Sequence, residues 1–523
     1  MKSIWLITIT GYNTQSAQNE TYTFSSSPFV TASSNLPSGV AANTYCYPCL
    51  KQPTLLQRSL FTTGTTLGEV KSDYGIAELV NTSGEIDFVA NLILAGYAIT
   101  VQYGTLVEGT AVPTWTTIFT GVMDIPEITW DRVNITLKDK LYLFDKPICN
   151  STYAGTNALP LGIEGVATDI KGKRKPKLYG LALNFSPILV NTSKLIYQYA
   201  SNAITGDGIL AVYDKGIALT RGANYTNQTD METTAPTAGQ YRECPSLGCF
   251  RLGSSPSGTV TCDGRNFDPT TYTTRSIITD IITENTALTS GNISASDMTA
   301  VLSLIQITGI WITGDETILQ TINSLLSGYG IWFGFDSVGL FRLKQFTVSA
   351  GASLAIYKED IIKINRIPSK DEGKGIPIYK VKFNYQKNHT VQSTDLAGGV
   401  TLDRKNAVLQ EYLSITVQDN AVLTLNPMAK DIEINSPIVH NVPATASTAA
   451  NTEANRVLTL FKVAREMYSL RVYLDPAQLS SLDLNKGITL YYDRFNLSAG
   501  KYFVIIGLKL DARLSLVDLT LFG

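Results

Sequence analysis

Histidine is almost missing from this chain: His389 and His440 are the only two in 523 residues. So few imidazoles leave little material for His-based acyl-transfer triads or for most catalytic metal sites. Charge is scarce as well. Asp, Glu, Lys and Arg make up 16% of the residues, and 42 basic against 44 acidic side chains give a formal net charge of -2. Soluble domains usually carry ~25% charged residues. A near-neutral chain lacks the basic surplus that holds a protein to nucleic acid through its phosphates, and it has no acidic disordered tail. Hydrophobic residues still reach 44%, so much of the surface is expected to be covered by other protein. No apolar run approaches the ~18 residues of a membrane span, because Asn91, Tyr97 and Thr100 interrupt the best candidate. No HExxH, GxSxG, GxxxxGK[ST] or Gly-rich dinucleotide fingerprint occurs. Catalytic residues and cofactors are therefore expected to be none.

What the chain does have favours strands and turns: 40 Gly, 20 Pro and 26 Tyr, with abundant Thr and Asn. The expected fold class is mainly β with a smaller α/β part, an α+β multidomain chain. Five spans organise it: an N-terminal strand or hairpin extension over 1–49, a first β-barrel over 50–147, a loop-rich inserted β domain over 148–270, an α/β domain over 271–348 and a second β-barrel over 349–523. The alternation Ile7/Thr8/Ile9/Thr10 reads as an edge strand rather than a secretory signal, since Gly11-Tyr12-Asn13 replaces a small-residue cleavage site.

Asn81-Thr82-Ser83-Gly84 reads as a turn between Ile76–Val80 and Ile86-Asp87-Phe88. A hairpin of two long strands is expected from Ile118–Met123 through Pro126 to Val133–Leu137. A second runs from Phe503–Leu508 through a turn near Asp511-Ala512-Arg513 to Leu514–Leu521. Each has a mid-strand glycine and a return ending Thr-Leu (Thr136-Leu137, Thr520-Leu521), which suggests two related barrels. Between them, Ile277, Ile278, Ile281 and Ile282 share one helix face, and Val301, Leu302 and Ile305 another. Thr313-x-x-Glu316 reads as a capping box for a helix carrying Ile318, Leu319, Ile322, Leu325 and Leu326, with Gly328 at its end. The hairpin Ile331–Phe335 to Leu340–Leu343 turns at Asp336–Gly339, and its aromatic stripe reads as core. Another helix is expected to carry Val457-Leu458, Leu460-Phe461, Val463-Ala464 and Met467-Tyr468.

Six cysteines occur, of which Cys46-x2-Cys49 has metal-knuckle spacing and Cys244-x4-Cys249 could supply a second pair. Cys46, Cys49, Cys244 and Cys249 are thus weak metal candidates by spacing alone. The second spacing is wide for a zinc ribbon, so the expectation is loop thiols or late disulfides and no metal. The basic run Lys171, Lys173, Arg174, Lys175 and Lys177 is expected to be a solvated loop, because the overall charge offers no supporting basic stripe.

Several segments, in order, carry a family resemblance. Tyr74-Gly75 precedes Asn81-x-x-Gly84-x-Ile86-Asp87, Phe119-Thr120-Gly121 and Leu137-Lys138-Asp139. Lys175-Pro176-x-x-Tyr179-Gly180 leads to Asn184-x-x-Pro187, then to Phe250-Arg251-Leu252-Gly253-Ser254-Ser255-Pro256-Ser257-Gly258-Thr259-Val260-Thr261. Trp332-x-Gly334-x-Asp336-x-x-Gly339-x-x-Arg342 follows, and Leu484-x-x-Gly487-Ile488-x-Leu490 runs through Gly500-Lys501-x-Phe503 to the last hairpin. From Tyr74 to Phe522, this order resembles the baseplate hub, or tail tip hub, of long-tailed bacteriophages and gene transfer agents.

That resemblance implies a structural virion protein, not an enzyme. Three copies would close the distal end of the tail tube, each giving two similar barrels that turn threefold into pseudo-sixfold symmetry. Implied partners are a homotrimer, the distal tail protein ring and other tail tip proteins, the tape-measure protein, and tail fibre or receptor-binding proteins. Genomic DNA would pass only in transit, no membrane anchor is expected, and the chain would be made in the host bacterial cytoplasm. The long C-terminal fibre extension of some relatives is not seen before Gly523, so receptor binding is expected of other proteins. Two other readings compete: a glycan-binding surface β-protein, and a glycoside hydrolase using Glu316 and Asp336. The residues favour a turn role for Asp336 and a capping role for Glu316.

Overall fold

The computed structural model describes residues 2–60, 69–106, 113–156, 165–204, 208–266, 274–302, 308–348, 351, 354–368, 375–440, 442–474, 478, 482–511 and 516–523. Strands take 44% of the described residues and helices 19%, so the fold is mainly β. Two compact units emerge, each assembled from separated stretches. The first comprises Met1–Leu143, Trp332–Pro377 and Val463–Gly523; the second comprises Phe144–Ile331 and Ile378–Lys462.

Two large sheets build the first unit. A nine-stranded sheet runs in the order Gln18–Ser25, Lys2–Asn13, Ala98–Leu106, Thr114–Met123, Arg132–Lys138, Ile76–Val80 and Leu50–Gln52, with Leu92–Ile93 and Glu127–Ile128 added at its sides. Period-two alternation drives it: Arg132–Lys138 buries Val133, Ile135 and Leu137 and turns the intervening residues outward. An eight-stranded sheet runs Leu354–Ile356, Gly487–Tyr492, Leu497–Asp511, Leu516–Phe522, Met467–Tyr473 and Ile361–Ile367, with Leu55–Ser59 and Lys71–Asp73 attached. The two sheets exchange chain at Pro53-Thr54: Leu50–Gln52 belongs to the first and Leu55–Ser59 to the second.

The second unit holds two five-stranded sheets. One contains Gly208–Asp214, Val260–Asn266 and Lys177–Phe185; the other contains Ile196–Gln198, Cys249–Leu252 and Gln240–Cys244. Phe185, Ile209, Val212 and Cys262 from the first pack with Tyr197, Tyr241 and Phe250 from the second in one buried cluster, which makes a sandwich. The helix Pro443–Phe461 covers the three-stranded sheet Leu413–Gln418, Ile378–Tyr385 and Lys430–Asn435. Its buried positions Ala446, Ala449, Ala450, Ala454, Val457, Leu458 and Phe461 follow the helical repeat, and the alanines allow close approach.

Several expectations hold. The helix Thr274–Asn285 buries all four isoleucines, Ile277, Ile278, Ile281 and Ile282. The aromatic strand Ile331–Phe335 is buried throughout. The terminal hairpin forms a long ladder from Val504↔Phe522 to Asp511↔Leu516; the turn residues 512–515 lie outside the described residues, as does Ile305.

Others are corrected. Lys2–Asn13 is an inner strand, paired on both sides, and even Thr8 is buried; an alternating sequence does not reveal a second neighbour. Ile86-Asp87-Phe88 opens a short 3-10 helix, Asp87–Asn91, instead of a strand. The first long hairpin is mostly split. Thr114–Met123 meets Arg132–Lys138 only at Val122↔Lys138 and Met123↔Leu137, and the latter strand pairs chiefly with Ile76–Val80. The capping box of Ile318–Leu326 is Thr317 with Gln320, not Thr313 with Glu316: Gln320 N donates to Thr317 Oγ1 and Thr317 N to Gln320 Oε1. After that helix the left-handed residue is Gly330, at φ +61°, and not Gly328. Gly328 serves close approach instead, since a Cβ there would lie 2.6 Å from Ser436 Cα. The last helix stops at Phe461, and Met467 and Tyr468 begin a strand whose entry is fixed by reciprocal backbone bonds between Glu466 and Gly523.

Candidate functional site

In the first unit a cleft of about 360 Å³ opens beside the Asp336 turn. Its base is set by strand register: Leu55–Ser59 lies along Gly507–Asp511, which brings Leu56, Arg58, Leu508 and Leu510 to one wall. Asp336 and Val338 come from the turn between Ile331–Phe335 and Phe341–Gln345, and Asp483 and Lys486 from the entry to Gly487–Tyr492. Arg58 is buried. Its Nη1 lies 2.7 Å from Asp483 Oδ1 and its Nη2 donates to the Phe335 carbonyl at 3.1 Å. Arg342 Nη1 stands 3.4 Å from Asp336 Oδ2 and 3.9 Å from Asp483 Oδ2. The lining thus holds three cations (Arg58, Arg342, Lys486) against two carboxylates, on an apolar floor.

The motif residues act as locks in the backbone. Asp336 Oδ1 accepts from Val338 N at 3.1 Å and Leu340 N at 2.9 Å, and Gly339 at φ +79° closes the turn. Asn81 Oδ1 accepts from Ile86 N while its Nδ2 donates to Asp87, with Gly84 at φ +74° between them. The Tyr74 ring packs tilted against Phe119 at 4.5 Å between centroids, and Tyr74 reaches Asp139. Burial pushes the Asp139 carboxyl above its usual range, opposed by a bond from Leu141 N. In the second unit Asp214 accepts from Ser257 N, Ser257 Oγ and Gly258 N, which pins the Pro256-Ser257-Gly258 loop.

The other residues singled out by sequence are divided between the two units. Glu316 belongs to the second unit and is exposed; Asp336 belongs to the first. Cys46 and Cys49 fall in the first unit, Cys244 and Cys249 in the second. Among the described residues no group of three or more His, Cys, Asp or Glu could hold a metal ion, and all six cysteines are free thiols. Burial pushes the thiols of Cys46, Cys149, Cys249 and Cys262 up, and burial with Glu85 pushes Cys49 up to about 12, so the thiolate that binds metal is disfavoured. His440 Nδ1 accepts from Val442 N, and His389 lies edge-on to Trp311.

The basic run is more engaged than a solvated loop. Lys177 is buried against Asn285, Arg174 holds Asp315 and the Cys149 carbonyl, and Lys175 lies over the Tyr153 ring; only Lys171 and Lys173 are exposed. Two features escaped the sequence reading. Arg58 had no local signal, because Asp483 is remote in the chain. Trp130 did have one. It sits in a polar turn, Thr129-Trp130-Asp131-Arg132, where a large aromatic has no core to enter, and it is 84% exposed.

No family model matches the sequence, and no curated protein matches it. Solved structures do. The chain is similar to a protein in the virion of a native gene transfer agent particle, at 13% identity and TM-score 0.40, covering 67% of this chain and 84% of that one. It is similar to the 43 kDa tail protein of prophage MuSo2 from Shewanella oneidensis, at 10% identity and TM-score 0.34, covering 92% and 96%. A tail protein from Neisseria meningitidis MC58 is also similar, at 8% identity and TM-score 0.37, covering 99% and 96%.

Proposed function

We propose that the chain is a tail hub: a structural virion protein whose homotrimer closes the distal end of a phage-type tail tube and links it to tail fibre or receptor-binding proteins. The observation that carries this reading is the coexistence, in one unit, of two large, mostly antiparallel sheets assembled from three separated stretches of chain. Two sheets per copy are what a trimer needs to offer six comparable surfaces to a hexameric ring. The hub-like motifs support the same reading, since Asn81, Gly84, Asp336 and Gly339 hold the turns of that unit.

Under this reading the distal tail protein ring, the tape-measure protein and other tip proteins are neighbours, and genomic DNA passes the hub only in transit. The test is to label the chain in purified particles and image them. Label confined to the tail tip, with a mass of three chains for the isolated hub, supports the proposal; label along the tube or none on particles overturns it.

A further inference from the structure

The first unit carries both a knob and a socket. The knob is the tip of the hairpin that joins Glu127–Ile128 to Arg132–Lys138. Glu127↔Asn134 and Ile128↔Val133 pair its strands, and Thr129 N donates to the Arg132 carbonyl at 2.9 Å, so the turn is rigid. It presents Trp130 at 84% exposure, with Ile125 at 76% and Ile128 at 43% beside it. A fixed tryptophan in water is costly to leave uncovered and typical of a binding hot spot. Around it stand Asp124, Glu127 and Asp131 against Arg132 and Lys138, an excess of one negative charge.

The socket is the cleft beside the Asp336 turn. Its charge is the opposite: Arg58, Arg342 and Lys486 against Asp336 and Asp483. At about 360 Å³ the cavity exceeds the roughly 150 Å³ that accepts a benzene ring, and Leu56, Val338, Leu508 and Leu510 give it apolar walls.

We propose that Trp130 of one copy docks in this cleft of the next copy, with the acidic rim of the tip facing Arg58, Arg342 and Lys486. The occupant is a second copy of this chain. Knob and socket are different patches on the same unit, so the contact is head-to-tail, the kind that closes into a ring under rotational symmetry. Complementary charge and an aromatic anchor in a pocket are the two elements such an interface requires. The contact rests on the threefold reading above.

The test uses the full chain in a Cys49→Ser background, since Cys49 is the one thiol that is not buried among the six. Thr129→Cys and Val338→Cys chains are mixed at equal concentration under a mild oxidant, leaving Trp130 in place. A disulfide-linked dimer forming only in the mixture is expected, and adding Trp130→Ala to the Thr129→Cys chain should abolish it. In sedimentation, Trp130→Ala should weaken association about thirty-fold, the effect of one hot-spot side chain. Because Trp130 is exposed, its removal leaves the fold intact, which circular dichroism verifies. A trimer that forms without the cross-link, or survives Trp130→Ala unchanged, overturns the docking and leaves the threefold reading standing. A chain that is monomeric and uncross-linked at every concentration sinks both.

Discussion

Arg58 Nη1 and Asp483 Oδ1 close to 2.7 Å although 425 positions separate them in the chain. The same guanidinium donates to the Phe335 carbonyl, so one buried side chain ties together all three stretches of the first unit. Removing one member of a buried ion pair leaves the other uncompensated, at about 3–5 kcal/mol. Arg58→Met should therefore destabilise the first unit by about that amount in urea unfolding. The double variant Arg58→Met with Asp483→Leu should recover part of the loss, because it removes the stranded carboxylate. A double variant no more stable than the single would show that the pair is not what the arginine contributes.

Gly208 tests a tighter constraint in the second unit. It sits at φ +67°, and a Cβ there would lie 2.0 Å from Glu243 Oε1 and 2.9 Å from the Tyr199 hydroxyl. Glu243 is fully buried and accepts from Tyr199 at 2.6 Å, Ile209 N at 3.0 Å and Arg221 at 2.6 Å. Gly208→Ala should displace that carboxylate and cost at least ~3 kcal/mol. Gly239→Ala is the control. It shares a positive φ, +77°, but its Cβ would meet open space, so only the conformational cost of about 1 kcal/mol remains. Equal losses at the two sites would refute the packing argument.

The sequence disclosed what local periodicity can carry. Ile277, Ile278, Ile281 and Ile282 announce a helix face, and Asp336 to Gly339 a turn, because spacing and turn chemistry act within a few residues. It could not disclose neighbours. Thr8 looks like an outward residue of an edge strand, yet Gln18–Ser25 and Ala98–Leu106 flank it on both sides. Thr114–Met123 and Arg132–Lys138 look like one hairpin, yet the much earlier strand Ile76–Val80 takes the second as its partner. Among the charged residues of the cleft only Asp336 and Arg342 were legible, since Arg58, Asp483 and Lys486 converge through tertiary register alone.

Acid should weaken the second unit through His389. Burial, with Lys387 nearby, pushes its imidazole from 6.5 down to about 3. The unfolded chain therefore binds a proton that the folded one excludes. Stability from this group is complete above about pH 6.5 and is lost progressively as pH falls toward about 3, by up to roughly 1.4 kcal/mol per pH unit. Glu243, whose carboxyl burial pushes up, works in the opposite direction, so the comparison must be with a variant. His389→Gln should flatten the loss of stability between pH 6 and pH 4 relative to the parent chain; parallel curves would rule the histidine out.

A hydrolase reading makes its own demand. Asp336 is occupied by two backbone N–H groups and Arg342. The purified chain should leave peptidoglycan and polysaccharide zymograms uncleared. Clearing that vanishes with Glu316→Gln or Asp336→Asn would restore the enzyme.

The terminal hairpin should be indispensable to the first unit, and the 224–237 segment to the second. Leu497–Asp511 is the central strand of the eight-stranded sheet: Gly487–Tyr492, Leu516–Phe522 and Leu55–Ser59 all pair with it. Truncation after Gly500 removes Phe503, Ile505, Val517, Leu519 and Leu521, all buried. At ~1.5–3 kcal/mol each, their loss matches the ~5–15 kcal/mol stability of a whole domain. It also strips partners from three strands, which exposes edges that aggregate. The 224–237 segment falls in the span 148–270 that reads as loop-rich in sequence, but it contains the helix Gln228–Thr233, with Asn227 capping it and Met231 buried beside Tyr225, Cys244 and Cys249. Arg251 Nη1 holds it by donating to the Met231 and Glu232 carbonyls. Both the truncation and a deletion within 224–237 should therefore yield insoluble chain, and limited proteolysis should show a different unit lost in each. A soluble, protease-resistant deletion of Gln228–Thr233 would mean that this helix only decorates the sandwich.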